Sequence, residues 1–255
     1  MINPSFMRTD EQYFADKKYM SVSKYKQFLK CEVGGLEDFG EPSEAMLIGS
    51  YVDAYISGTL EEFKELHPEI ISSRGATKGE LKAGFKKADE IIKYIDANPT
   101  FKQFMEGDKQ TVMTGEIFGV PFKGKLDVYA KGIAINDLKV LATVTDKGGN
   151  YYDFVSAWNY DLQMSVYQEL VFQNTDEKLP TFLCVATKEE PINSVIVNVD
   201  QTTLDVALYR LEENVKRFYD IMQGTVEPVG CGICSSCIAQ RVDTPIIGMM
   251  DLLGL

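Results

Sequence analysis

Histidine is almost missing from this chain. Its 255 residues include one, His67 in "ELHPEI", which removes most histidine-based acid–base and metal chemistry. His67 precedes a proline, which halts helices, and reads as a loop residue. Positive charge is also scarce: 26 Lys and Arg stand against 38 Asp and Glu, a net charge of −12. That balance excludes a surface coated in basic residues and the wholesale wrapping of nucleic acid, while leaving room for a local basic groove. No apolar run approaches the roughly 18 residues of a membrane helix. The opening "MINPSFMRTDEQYFADKKYM" lacks the apolar stretch of a signal peptide. The expectation is a cytoplasmic protein without a membrane partner. Its five cysteines, an odd number in a reducing compartment, are not expected to form disulfides.

What remains is ordinary for a globular chain: 45% apolar and 25% charged residues, enough to bury a sizeable core without staples. No internal repeat is visible. Residues 20 to 65 read as mainly helical, with Ser21 or Ser23 as an N-cap. Met46, Leu47, Val52 and Ile56 fall on one helical stripe that stops at Gly58. Residues 77 to 98 read as an amphipathic helix and "PTFKQFMEG" as a short helix or turn. From residue 111 the period shifts towards two, giving three strands by residue 144. "FVSAWNYDLQMSVYQELVFQN" then reads as one helix, "TFLCVATK" and "NSVIVNV" as two strands, and "TTLDVALYRLEENVKRFYDIMQG" as one long helix ending at Gly224. This order implies one α/β domain over 1–255: a mainly helical arm at 1–108, a core with a mixed sheet at 109–225, and a cysteine-rich tail at 226–255. The final "PIIGMMDLLGL" is apolar enough to form an interface or to pack on its own domain.

The hairpin "GKLDVYAKGIAINDLKV", residues 124–140, places charges where a core is expected. Strand alternation sets Phe122, Leu126 and Val128 on one face, with Lys123, Lys125, Asp127 and Tyr129 on the other. Asp137 and Lys139 point the same way. A two-residue turn at Lys131–Gly132 would set Asp127 opposite Asn136, whereas a three-residue loop sets it opposite Asp137. Two carboxylates that meet repel each other and call for a cation. Oxygen ligands of this kind suit Mg²⁺ or Mn²⁺. Lys139 beside them can orient a water or stabilise charge on a phosphate. Glu116 on the preceding strand is a candidate further ligand. By itself the spacing also describes a solvated hairpin with surface charges.

A second signal is "CGICSSC", which sets Cys231, Cys234 and Cys237 at intervals of three. Three thiols so close rarely serve packing alone, and they are one short of a four-ligand site. Cys184, in an apolar strand, reads as a small core residue.

In order along the chain, these features resemble the PD-(D/E)XK nuclease superfamily, in its RecB-like branch and closest to phage-type RecE-like exonucleases. Asp127 followed by Asp137-x-Lys139 resembles the catalytic core. "QMSVY", with Gln163 and Tyr167 on one helix face, looks like the Q-x-x-x-Y helix that follows it. "SVSKYKQFLKC" resembles the branch's opening motif, "LIGSYVDAY" its G-x-x-x-H helix, and "VATKEEP" a strand of RecE-type members. The resemblance runs from about residue 20 to 240. One departure stands out: the metal-binding histidine of the G-x-x-x-H helix falls on Asp53, which can also ligate a hard cation.

The resemblance implies roles. Asp127, Asp137 and the carbonyl of Leu138 would hold the metal, with Glu116 and Asp53 as further ligands. Lys139 would position the attacking water, while Gln163 and Tyr167 would support the site or touch the DNA backbone. Lys123, Lys125 and Lys188 would contact phosphates. Cys31 lies where cluster-bearing relatives place their early cysteine, which implies that Cys31, Cys231, Cys234 and Cys237 clasp a [4Fe–4S] cluster, with zinc as the alternative. The implied function is a metal-dependent exonuclease that resects linear double-stranded DNA for recombination. A single-strand annealing protein would be its partner, and a ring-shaped homo-oligomer its assembly. The alternatives are a repair or CRISPR-type end-processing nuclease of the same fold, and a catalytically inactive, cysteine-clasped DNA-binding module.

Overall fold

The computed structural model describes residues 10–244, 246 and 248–252. The first half is helical: α1 (Asp10–Ala15), α2 (Val22–Lys30), α3 (Glu32–Leu36), α4 (Glu44–Ser57), α5 (Leu60–Leu66), α6 (Ala83–Ala97) and α7 (Pro99–Phe104). The strands follow, β1 (Asp108–Ile117), β2 (Val120–Ala130) and β3 (Ala134–Leu141), then α8 (Phe154–Ala157) and α9 (Tyr160–Thr175). The chain continues through β4 (Thr181–Thr187), β5 (Ser194–Val199), α10 (Gln201–Glu212), α11 (Val215–Met222), α12 (Ser235–Ala239) and α13 (Met249–Leu252).

The strands form one five-stranded sheet in the order β1-β2-β3-β4-β5. Only β3 and β4 run parallel, because the α8–α9 segment carries the chain back across the sheet. The other neighbours are antiparallel. β1 turns into β2 through Phe118 and Gly119, at φ 50° and 75°, the paired left-handed conformation that matches strand twist in a two-residue hairpin. The sheet is thus mixed, as the order of elements predicts.

Both faces are covered. Leu183 and Val185 of β4 join a core with α2, α9, α10 and α11, while Cys184 and Ala186 join a second core with α4, α6 and α7. Cys184 is fully buried there, as a core residue. Residue Met20 pairs with Phe122 at the start of β2, which anchors α2 to the sheet and lets it pack on α9.

Several helices differ from the periodicity. Ser21, not Ser23, caps α2 by accepting from the N–H of Lys24. α4 ends at Gly58 in the left-handed conformation, as expected, but Met46 is exposed. α6 begins at Ala83 rather than 77, because Leu81 pairs with Ile71 and holds that stretch extended. The helix read across 154–174 is two, since Asn159 at φ 50° ends α8 and redirects the chain. The helix read across 202–224 likewise breaks between Glu212 and Val215. In the terminal apolar run, Ile246, Met249 and Met250 are exposed; Pro245, Ile247 and residues 253–255 lie outside the described residues. No helix among the described residues is long and apolar enough to cross a membrane.

Candidate active site

The β2–β3 connection is Lys131, Gly132 and Ile133, closed by the Ile133 N–H on the Ala130 carbonyl at 2.9 Å. This is the three-residue option. The register runs Ala130 to Ala134, Tyr129 to Ile135 and Val128 to Asn136, so the next pair is Asp127 and Asp137. There the ladder stops. The Leu138 N–H donates to Asp127 Oδ2 at 2.9 Å, so a side-chain carboxylate replaces the backbone acceptor and the two strands part. Leu126 belongs to the first core and Val128 to the second. The simple alternation read from the sequence therefore slips at Asp127. Facing Asp127 across β1 is Gln110, between the pairs Lys109–Val128 and Thr111–Leu126, with φ at 49°.

Asp137 has no exposed surface. Gln163 Nε2 donates to its Oδ1 at 3.0 Å and lies 3.1 Å from the Tyr167 hydroxyl, so the Gln–Tyr face of α9 supports this carboxylate directly. The Lys139 ammonium ion-pairs with Asp137 Oδ2. Burial raises the Asp127 pKa well above the carboxylate range, and the charges of Asp137 and Asp53 raise it further. Burial works against the Lys139 charge, yet Asp137 and Asp127 outweigh it and hold the ammonium protonated. Burial, then Asp137, also pushes the Tyr167 hydroxyl up, so it stays neutral while it accepts from Gln163.

Asp53 reaches this neighbourhood from α4. Both of its oxygens accept from Gln110 Nε2, at 3.0 and 2.9 Å. A carboxylate only accepts, so the amide must turn its NH₂ towards Asp53. Its Oε1 is then buried with no hydrogen-bond partner among the described residues. Oxygen donors, a carboxyl that resists ionising alone and an unsatisfied buried amide oxygen fit a hard divalent cation.

Other expected residues fall elsewhere. Glu116 is exposed and opposite Pro121, six residues along β2 from Asp127. At about 3.3 Å per residue that is about 20 Å away, so Glu116 is not a ligand of this site. Lys123 is buried, and its ammonium donates to the backbone carbonyls of Tyr13 and Asp16. It anchors α1 and is not a phosphate contact. Lys125 is half-buried with its ammonium 6.0 Å from the Tyr13 ring. The Lys188 N–H donates to the Leu141 carbonyl, at the end of β3 beyond Lys139. His67 ends α5, its ring against Phe63 and its Nδ1 2.8 Å from Glu69, a structural residue.

Two neighbours of the site carried no signal in sequence. The Lys139 ammonium lies 4.9 Å from the centre of the Tyr160 ring, and the Lys26 ammonium 5.4 Å from the same ring. Burial, and then the charge of Lys139, lower the Lys26 pKa to about 8. Lys26 lies within the resembling "SVSKYKQFLKC" stretch, but only the packing of α2 on α9 brings it here.

The four cysteines meet at the far end of α2. Cys31 follows that helix, and its sulfur lies with those of Cys231, Cys234 and Cys237, all within 4.8 Å of one another. Among the described residues they form the only grouping of three or more acidic, His or Cys ligand atoms this tight. Cys31 Sγ lies 3.5 Å from Cys237 Sγ and accepts from the N–H groups of Gly34 and Cys231, at 3.5 and 3.4 Å. Those donors lower its pKa to about 6, so it is a ready thiolate. A nearby ion pair, Arg217 to Glu32 at 2.7 Å through two nitrogens, fastens the same junction.

Strands that part around an aspartate and an Asp-x-Lys pair, backed by a Gln–Tyr helix, place the fold in the PD-(D/E)XK-like class. Residues 21–240 match the family described as a PDDEXK-like domain of unknown function (DUF3799), and the chain belongs to that family. It is also similar to a solved structure described as a "Putative exonuclease" from Eubacterium rectale. The two are 45% identical, with 96% of this chain and 97% of that chain covered and a TM-score of 0.88. The comparison with curated proteins finds no match.

Proposed function

We propose that this chain is a metal-dependent exodeoxyribonuclease of RecE-like type, hydrolysing phosphodiesters at the ends of linear duplex DNA. The observation that carries the reading is the splayed β2–β3 pair, whose register runs on to Asp127 opposite Asp137, with Lys139 and Gln163 each contacting Asp137. The similarity to an exonuclease-described structure supports it. Asp127, Asp137 and the Leu138 carbonyl would hold Mg²⁺ or Mn²⁺. When bound, the ion supplies a more acidic water and neutralises charge developing on the phosphate. Lys139, kept charged by the aspartates, stabilises a phosphate oxygen or orients the water; it is not the base. Gln163 keeps Asp137 in place. Resection for recombination, with an annealing partner and an oligomeric ring, extends this reading.

For the thiolate site, zinc is favoured over the [4Fe–4S] cluster. Bonds of about 2.3 Å around one tetrahedral ion give sulfur–sulfur edges of about 3.8 Å. The sulfur pairs Cys31–Cys237 and Cys231–Cys237 stand at 3.5 and 3.9 Å. A cluster interposes its own irons and sulfides and spreads the thiolates wider.

The test is nucleotide release from linear duplex DNA with Mg²⁺ or Mn²⁺, comparing wild type with Asp137→Ala. Metal-dependent release that the substitution abolishes supports the reading. Absence of release from the wild type, on duplex and single strands alike, removes it in favour of an inactive DNA-binding module.

A further inference from the structure

Trp158 is the chain's single tryptophan. It sits in the break between α8 and α9, and it is 58% exposed. That break exists because Asn159 takes a left-handed conformation, which starts α9 afresh at Tyr160. The Trp158 backbone therefore lies beside the candidate active site, two residues from the ring that faces Lys139. Its carbonyl accepts from the Lys26 ammonium at 3.0 Å, and that ammonium shares the Tyr160 ring with Lys139.

Two ammonium groups on one aromatic ring repel each other, and a phosphate between them relieves that repulsion. A large exposed aromatic beside them offers a flat apolar face. A nucleic-acid strand presents the same two features in alternation, charged phosphates and flat bases. A protein partner would need a wider apolar surface, but the residues flanking Trp158 are Ala157 and Asn159.

We propose that Trp158 is a stacking platform for a nucleobase of the strand entering the site, and that Lys26 contacts the phosphate beside it. This deepens the nuclease reading and rests on it for the choice of partner. Stacking a base on an aromatic side chain contributes an amount equivalent to about 5- to 150-fold in affinity.

The single tryptophan makes the test direct. Wild-type protein, with no added Mg²⁺ or Mn²⁺, is titrated with a single-stranded DNA oligonucleotide. Trp158 emission and the anisotropy of a label on the oligonucleotide are followed together. The expected result is saturable, salt-sensitive quenching that tracks anisotropy. Trp158→Ala should weaken binding about 5- to 150-fold, Trp158→Phe should retain most of it, and Lys26→Ala should weaken it and flatten its salt dependence. Binding by anisotropy with unchanged emission, and with Trp158→Ala within twofold of wild type, overturns the proposal. Quenching without any nucleotide release in Mg²⁺ would sink the nuclease reading and leave the platform standing. No oligonucleotide binding by either signal ends the platform and leaves the nuclease reading to the release assay.

Discussion

Gln110 donates to both carboxylate oxygens of Asp53, at 3.0 and 2.9 Å, across 57 positions of sequence. It does so from a backbone conformation, φ 49°, that a non-glycine residue rarely adopts. Such a residue persists only where its surroundings require it. Here the amide aims Asp53 towards the centre that contains Asp127.

Replacing Gln110 by glycine removes the amide and suits the positive φ. Gln110→Gly should fold with a melting temperature close to wild type. Its affinity for Mn²⁺, measured by calorimetry, should fall about 10- to 100-fold, as when a supporting partner of a metal ligand is lost. Unchanged Mn²⁺ affinity would leave Gln110 a structural residue only.

Lys139→Met leaves the fully buried Asp137 without its cation. Breaking a buried pair on one side costs about 3–5 kcal/mol, so denaturant unfolding should show a loss of that size along with the loss of activity. Combining it with Asp137→Asn should restore much of the stability and none of the activity. A single substitution that costs less than 1 kcal/mol would mean that the pair is open to solvent.

Lys123 provides a pH signature away from the candidate active site. Burial lowers its pKa to about 8, below the unfolded value of about 10.4. Between those values the unfolded chain binds more protons, so this lysine's contribution to stability rises as pH goes from about 8 to about 10.4 and is flat below 8. The difference in unfolding free energy between wild type and Lys123→Met should grow across that window, by on the order of 1–3 kcal/mol. A constant difference would place the ammonium in water.

Elemental analysis of protein from iron-rich, oxygen-free cultures should find one zinc per chain and no iron or acid-labile sulfide. Cys237→Ser should lose the zinc and melt at a lower temperature, because the clasp joins Cys31 to a tail some 200 residues away. Iron and sulfide in equal amounts would restore the cluster reading.

Much of the fold was open to sequence because it is written in local periods. Short apolar or alternating runs mark the strands, and the end of α4 at Gly58 is read correctly, though Met46 falls outside its buried stripe. Helix breaks were hidden. Nothing in "SAWNYDL" marks Asn159 as left-handed, since asparagine also continues helices. The facing of Asp127 and Asp137 turned on one residue of loop length, and periodicity could not choose between the two options.

The sequence by itself determined the chemical inventory and its spacing. It held Asp127 and Asp137-x-Lys139, a Gln–Tyr pair one helical turn apart, and three cysteines at intervals of three, all set by short-range geometry. Tertiary structure decided what each residue does. Lys123 and Lys125 look alike on one strand, yet α1 buries the first through backbone carbonyls. Glu116 looked like a ligand until the register carried it to the far end of the hairpin. Lys26, Tyr160, Gln110 and Asp53 gained their roles from contacts between elements tens of residues apart. Such contacts depend on how helices pack on a sheet, and no local pattern records that.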